Sequence, residues 1–183
     1  MDMNQLIALL IGKGQEWIKA QRKVFRPLGR ALPDIAIAQL SLYFEEPLLH
    51  EVRLVSVPAL ENPPFLEDYQ AIFTEKAIPS LDFTAMAGIT FVDTILLVDR
   101  FLAESATALI FHELVHAVQY ELLGLEKFVE LYILGWVNQG FNYAAIPLEM
   151  DAYELQNRYE ADPTQPFQVK DEVSCSLELW LDD

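Results

Sequence analysis

Residues 106–118 are apolar apart from Thr107 and three others: His112, Glu113 and His116. No other feature constrains this chain as strongly. A four-residue spacing puts both imidazoles on one face of a helix, about one turn apart. A helix this apolar is buried on most sides. Placing two imidazoles and a carboxylate in it is costly unless they are paired or coordinated. A metal ion held by both ring nitrogens at about 2.0–2.1 Å supplies that compensation. Glu113 then projects beside the metal face, where it is placed to take a proton from a metal-bound water rather than to ligate. The competing reading is a pair of satisfied core histidines that frame a glutamate by chance. With three histidines in the whole chain, such a chance match is rare.

A catalytic site of this kind needs a third protein ligand and an open position. No histidine follows His116, and His50 lies upstream at the edge of an expected strand. Gln119 stands where the extended H-E-x-x-H-x-x-G-x-x-H pattern requires glycine. The third ligand is therefore expected to be a carboxylate on a nearby helix. Glu149 is the preferred residue, in the first turn of a helix opening at Pro147, with Ala152 small enough to let two helices approach. Its ordinary reading is a first-turn carboxylate that complements the helix dipole. Asp151 and Glu154 are the alternatives, as ligands or as groups that orient a histidine through its second nitrogen. Tyr143 and Tyr153 are candidate oxyanion donors because both lie near Glu149 in sequence, and His50 is a further one. Each tyrosine also suits a plain packing role.

Around this centre the periodicities predict a mixed chain. Residues 4–23 have helical spacing, with a break expected near Gly12 and Gly14. Pro33 and Asp34 open a second helix through Leu40 and Phe44. Residues 51–57 read as a strand ending at Pro58, and residues 61–79 as a long loop or short helical turns. Residues 89–98 read as one or two strands with a turn at Asp93. Helices follow, with Ser105 as a cap, Gly124 as a stop and a second helix over residues 126–138. Residues 173–181 suit a strand or a loose end. The expected fold is α+β, a small sheet followed by a helical layer that carries the metal site. Three segments are expected: a basic helical segment (1–32), the metal-binding domain (33–160) and an acidic C-terminal tail (161–183).

Charge and composition exclude several classes. The net charge of −16 repels phosphate backbones, which argues against nucleic-acid binding. No stretch is long enough to span a membrane. The apolar run at residues 6–11 is short, follows Asp2 and has no small-residue cleavage site, so a cytoplasmic location is expected. Lys13, Lys19, Arg22, Lys23, Arg26 and Arg30 are half of the 12 basic residues. They suit a helix face that docks on the chain's own acidic remainder, or a mobile segment that covers an acidic cleft. Cys175, the single cysteine, reads as an ordinary, partly buried thiol. Nothing in the sequence sets the oligomeric state.

His112-Glu113-Leu114-Val115-His116 is followed by Ala-Val-Gln-Tyr, and later by Pro-Leu-Glu-Met-Asp-Ala-Tyr-Glu. Together these runs resemble the zincin metallopeptidase superfamily, in its glutamate-ligand (gluzincin-like) branch. More narrowly, they are similar to small uncharacterised bacterial proteins with an H-E-L-V-H-x-x-Q helix and a later E-x-x-A-Y helix. The similar part covers residues 94–159. The resemblance implies a zincin-like fold, zinc as the metal, His112, His116 and Glu149 as its ligands, and Glu113 as the general base. It also implies that residues 89–98 line a cleft and bind an extended peptide by strand addition. No N-E-x-x-S-D motif, as in the larger thermolysin-like enzymes, is present. The implied activity is zinc-dependent hydrolysis of peptide bonds. The competing expectation is a metal-binding regulatory or protein-binding module without significant peptidase activity.

Overall fold

The computed structural model describes residues 1–79, 81–101 and 106–181. The chain opens with helix α1 (Met3–Phe25), whose first turn is closed by a capping box: Asp2 Oδ1 accepts from the Gln5 N–H, and Gln5 Oε1 accepts from the Asp2 N–H. The helix runs through Gly12 and Gly14 without the expected break. Gly14 has a packing reason to be glycine, because a Cβ there would stand 3.1 Å from Val129 Cγ1. Close packing thus outweighs the propensity cost of the glycine.

Next come α2 (Asp34–Leu40), α3 (Glu46–Glu51), strand β1 (Arg53–Val57) and two short helices, α4 (Phe65–Asp68) and α5 (Gln70–Glu75). Helix α2 stops four residues before Phe44, which packs into the core from a turn instead. Strands β2 (Gly88–Phe91) and β3 (Thr94–Val98) form a hairpin whose turn is Val92 and Asp93, the turn expected at Asp93. The sheet order is β1-β3-β2, with β3 parallel to β1 and antiparallel to β2. All five residues of β3 are buried, as a central strand covered on both faces requires. Its alternation divides the core in two. Ile95 and Leu97 join the large helical core, while Leu96 and Val98 join Val55, Val57, Leu60 and Phe91 on the other face.

Helix α6 (Ala106–Asn138) supplies most of the large core. It kinks at Gly124, whose φ of 72° and ψ of 163° lie outside the helical region, and resumes at once. The helical backbone thus stops at Gly124 and a second helical stretch follows it, as the sequence leads one to expect. The Ser105 cap falls outside the described residues. Helix α7 (Pro147–Ala161) begins at Pro147 as expected and packs along α6. Helix α8 (Val169–Leu181) replaces the expected strand or loose end. Val169, Val173 and Leu177 recur every four residues and are all buried, so the helical period prevails over the alternating one. Cys175 is exposed, not partly buried. The fold is mixed, with helices dominating a three-stranded sheet. Among the described residues, no helix is long and apolar enough to cross a membrane.

Candidate metal centre

The helical period does what the sequence suggests. His112 and His116 sit one turn apart on the buried face of α6, and α7 brings Glu149 against them from its first turn. The Nε2 atoms of the two histidines are 3.2 Å apart. Glu149 Oε2 is 3.5 Å from His112 Nε2, and Glu149 Oε1 is 3.5 Å from His116 Nε2. Ligand atoms about 2.0–2.1 Å from a tetrahedral ion stand roughly 3.3–3.4 Å from one another. The Nε2–Nε2 distance and the distances from each Nε2 to its nearer Glu149 oxygen are close to that separation, the two histidines facing different oxygens of the carboxylate. Glu149 Oε2 is buried with no hydrogen-bond partner, which a cation among the three side chains would remedy. The three residues therefore form a buried His-His-Glu group able to hold a metal ion.

The surroundings orient the donors. Gln119 Nε2 donates to the Leu148 carbonyl at 3.0 Å and faces Asp151 Oδ2 at 3.3 Å. Both partners are acceptors, so the amide can point only one way. Its Oε1, 2.8 Å from His116 Nδ1, then accepts the Nδ1 proton and leaves the Nε2 lone pair free. Ser176 in α8 donates to Asp151 Oδ1 at 2.9 Å, which extends the chain of contacts to a third helix. Asp151 thus acts through Gln119 and does not reach a histidine itself. Tyr132, from the far half of α6, donates to Glu149 Oε1 at 2.7 Å.

Burial alone would keep the Glu149 carboxyl protonated, but the two imidazoles outweigh it and hold the pKa well below the usual range. Burial likewise lowers the His116 pKa. Glu149, then Glu113 and Gln119, reverse this and raise it to about 9. The same negative charge that attracts a proton attracts a metal cation.

Glu113 lies beside these donors and is 3% exposed. Alternation along β2 points Gly88 and Thr90 towards it. Thr90 Oγ1 is 2.7 Å from Glu113 Oε2 and 3.0 Å from the Glu113 carbonyl. A Cβ at position 88 would stand 2.7 Å from Glu113 Oε1, so glycine there makes room for the carboxylate. Burial raises the Glu113 pKa, against the lowering effect of His112, His116 and Thr90. A raised carboxyl pKa suits proton transfer near neutrality.

The remaining candidates separate. Tyr143 lines a cavity of about 110 Å³ shared with the three donors and Glu113. Burial, then the Glu149 charge, push its pKa far up and keep it a hydrogen-bond donor. Tyr153 is half-exposed, its ring centroid 4.5 Å from that of His112. Glu154 and His50 are exposed, and neither lines the cavity. Gln119 and Tyr132 were not identified from sequence. One signal was available for Tyr132: His112, His116, Tyr120, Phe128, Tyr132 and Trp136 all lie a multiple of four apart, and all line the cavity.

No family model, curated protein or solved structure matches this chain.

Proposed function

We propose that the protein is a zinc-dependent metallopeptidase of the zincin type. The observation that carries this reading is the buried group of two imidazole nitrogens and the Glu149 carboxylate, 3.2 Å to 3.5 Å apart, with Glu113 buried beside it. A set of two imidazoles and one carboxylate suits zinc and leaves a coordination position open. Held by His112, His116 and Glu149, a zinc ion would supply Lewis acidity to a carbonyl and lower the pKa of a water toward neutrality. Glu113 takes the proton of the attacking water and returns it to the leaving amine. Thr90 holds one carboxylate oxygen of Glu113 and leaves Oε1 for that proton. Tyr143 donates to the oxygen that becomes negative as the carbonyl carbon turns tetrahedral. Among the described residues β2 is the outer strand, and all four of its residues line the cavity. Its unpaired edge suits an extended peptide, which would add as a further strand.

A second reading, a metal-holding binding module, also has an observation behind it. His112, His116 and Glu149 are only 5%, 6% and 3% exposed, so the metal position is enclosed. Metal analysis and turnover distinguish the two. Wild type and Glu113→Gln are expected to hold zinc and His112→Ala to lose it. On a diverse peptide library Glu113→Gln is expected to be slower by about 100-fold or more. Absence of zinc from the wild type overturns the metal site, and equal cleavage by wild type and Glu113→Gln overturns the peptidase reading.

A further inference from the structure

Lys19, Arg22, Lys23 and Arg26 follow the i, i+3, i+4, i+7 spacing that aligns side chains along one face of a helix, here the last turns of α1 and its C-cap. Arg53, the first residue of β1, joins them. These five side chains and Pro27 line one open groove. The chain's net charge is −16, yet its first thirty residues hold six cations against Asp2 and Glu16, so the groove is a local exception on an acidic molecule. Three carboxylates reach its cations. Glu126 pairs with Lys19 at 2.8 Å, Asp93 is shared by Arg22 and Arg26, and Glu51 lies 3.9 Å from Arg26. Lys23 is exposed and meets no carboxylate among the described residues. Arg53 meets none either; its Nη1 donates to the carbonyls of His50, Glu51 and Val52. Two of the five cations are thus left without a counter-charge, beside three others of the same sign.

Such a cluster attracts an anion. Long polyanions suit it badly, because a nucleic acid or an anionic bilayer extends past the groove onto a surface that carries the chain's excess of negative charge. The occupant is therefore short. The stretch from Lys19 to Arg26 is about 10 Å long, which an extended chain covers in about three residues. The anions the groove already takes are carboxylates, with Asp93 held by two guanidinium groups at one of its oxygens. The planar guanidinium fork matches that group. We propose that the groove docks a short acidic stretch of a partner protein, about three Asp or Glu residues in extended chain. Lys23 and Arg53 supply the charge that no carboxylate of the chain neutralises, and Arg22 and Arg26 add the guanidinium donors that Asp93 leaves free. No residue of the groove lines the metal cavity, so the docking site goes beyond the peptidase reading and does not depend on it.

The test is the binding of hexaglutamate and of hexaglutamine, each with an uncharged fluorophore, to the full-length protein, read by fluorescence anisotropy at an ionic strength of about 0.1 M. Hexaglutamate is expected to bind more tightly by about tenfold or more. Lys23→Glu is expected to weaken it by about fivefold or more, while Lys13→Glu, the same change of charge about 15 Å away along α1 and so beyond the Debye length, leaves it within about twofold. Asp93→Asn, which releases donors of Arg22 and Arg26 to the ligand, is expected to bind hexaglutamate more tightly than the wild type. Circular dichroism reports that each variant is folded. Inorganic tripolyphosphate is expected to displace the labelled peptide less effectively than unlabelled hexaglutamate does. Equal binding of the two peptides overturns the proposal, and so does equal weakening by Lys23→Glu and Lys13→Glu, or an Asp93→Asn variant that binds no more tightly than the wild type. Tripolyphosphate as the better competitor would make this a phosphate site and overturn the acidic partner.

Discussion

Gln119 links the two helices of the metal centre through a single amide. Its oxygen accepts from His116 Nδ1, and its nitrogen bonds to the Leu148 carbonyl one residue before Glu149. The amide thus sets the ring orientation of one donor and the position of another. Partners of this kind are worth about 10–100-fold in metal affinity. Gln119→Leu keeps the approximate volume and removes both bonds. It is expected to weaken zinc binding by that factor, measured by competition with a chelator, with near-wild-type helicity. Unchanged affinity would mean that helix packing alone orients His116. Gln119→Glu is expected to retain more affinity than the leucine variant, because a carboxylate oxygen still accepts from Nδ1.

At the scale of the element, β2 and α6 meet where Gly88 faces Glu113. A methyl group there would lie 2.7 Å from Glu113 Oε1 and 2.8 Å from Leu97 Cδ2. Gly88→Ala must therefore displace a side chain that the proposed chemistry needs in place. Overpacking of this sort costs about 1–3 kcal/mol, and a misplaced catalytic group costs up to about 100-fold in rate. The variant is expected to bind zinc as the wild type does and to lose peptide turnover. Parallel loss of zinc would show that the strain spreads to the ligands.

The contrast between Glu149 and Gln119 shows what the sequence makes legible. A four-residue spacing reports a shared face within one helix, so His112, Glu113 and His116 stand out from spacing, while Pro147 as a helix start makes Glu149 only the preferred carboxylate, with Asp151 and Glu154 left open. Gln119 acts across two helices on a backbone carbonyl, and no local pattern encodes that. The same limit applies to α8. Val173, Cys175 and Leu177 alternate as a strand would, and the helix is decided by Val169, Val173 and Leu177 packing on α6 and α7. The break expected at Gly14 is absent for a related reason: its propensity is local, while its contact with Val129 is not.

Across the whole molecule, the basic start of the chain is tied to its acidic remainder at Asp93. Arg22 Nε lies 2.7 Å from Asp93 Oδ1, and Arg22 Nη2 and Arg26 Nη1 lie 2.5 Å and 2.8 Å from Oδ2. This ties the end of α1 to the β2–β3 turn, and so links the helix that walls the cavity to the strand that edges it. Burial raises the Asp93 pKa, but the two guanidinium groups outweigh it and hold the pKa below the ordinary value. The side chain of Asp93 is 11% exposed and that of Arg22 is 40% exposed, so the pair is worth less than a buried one. Asp93→Asn is expected to cost about 1–2 kcal/mol at neutral pH, read from urea unfolding. The pH dependence has a definite sign. A carboxyl with a depressed folded pKa stabilises above its unfolded pKa of about 3.9, and that contribution is lost as pH falls through the folded value. The gap between wild type and Asp93→Asn should therefore be constant from neutrality down to about pH 5 and narrow below about pH 4. Other carboxylates titrate alike in both proteins and cancel in the difference. A gap that stays constant to the acid limit would mean that Asp93 acts through turn geometry and packing rather than through its charge.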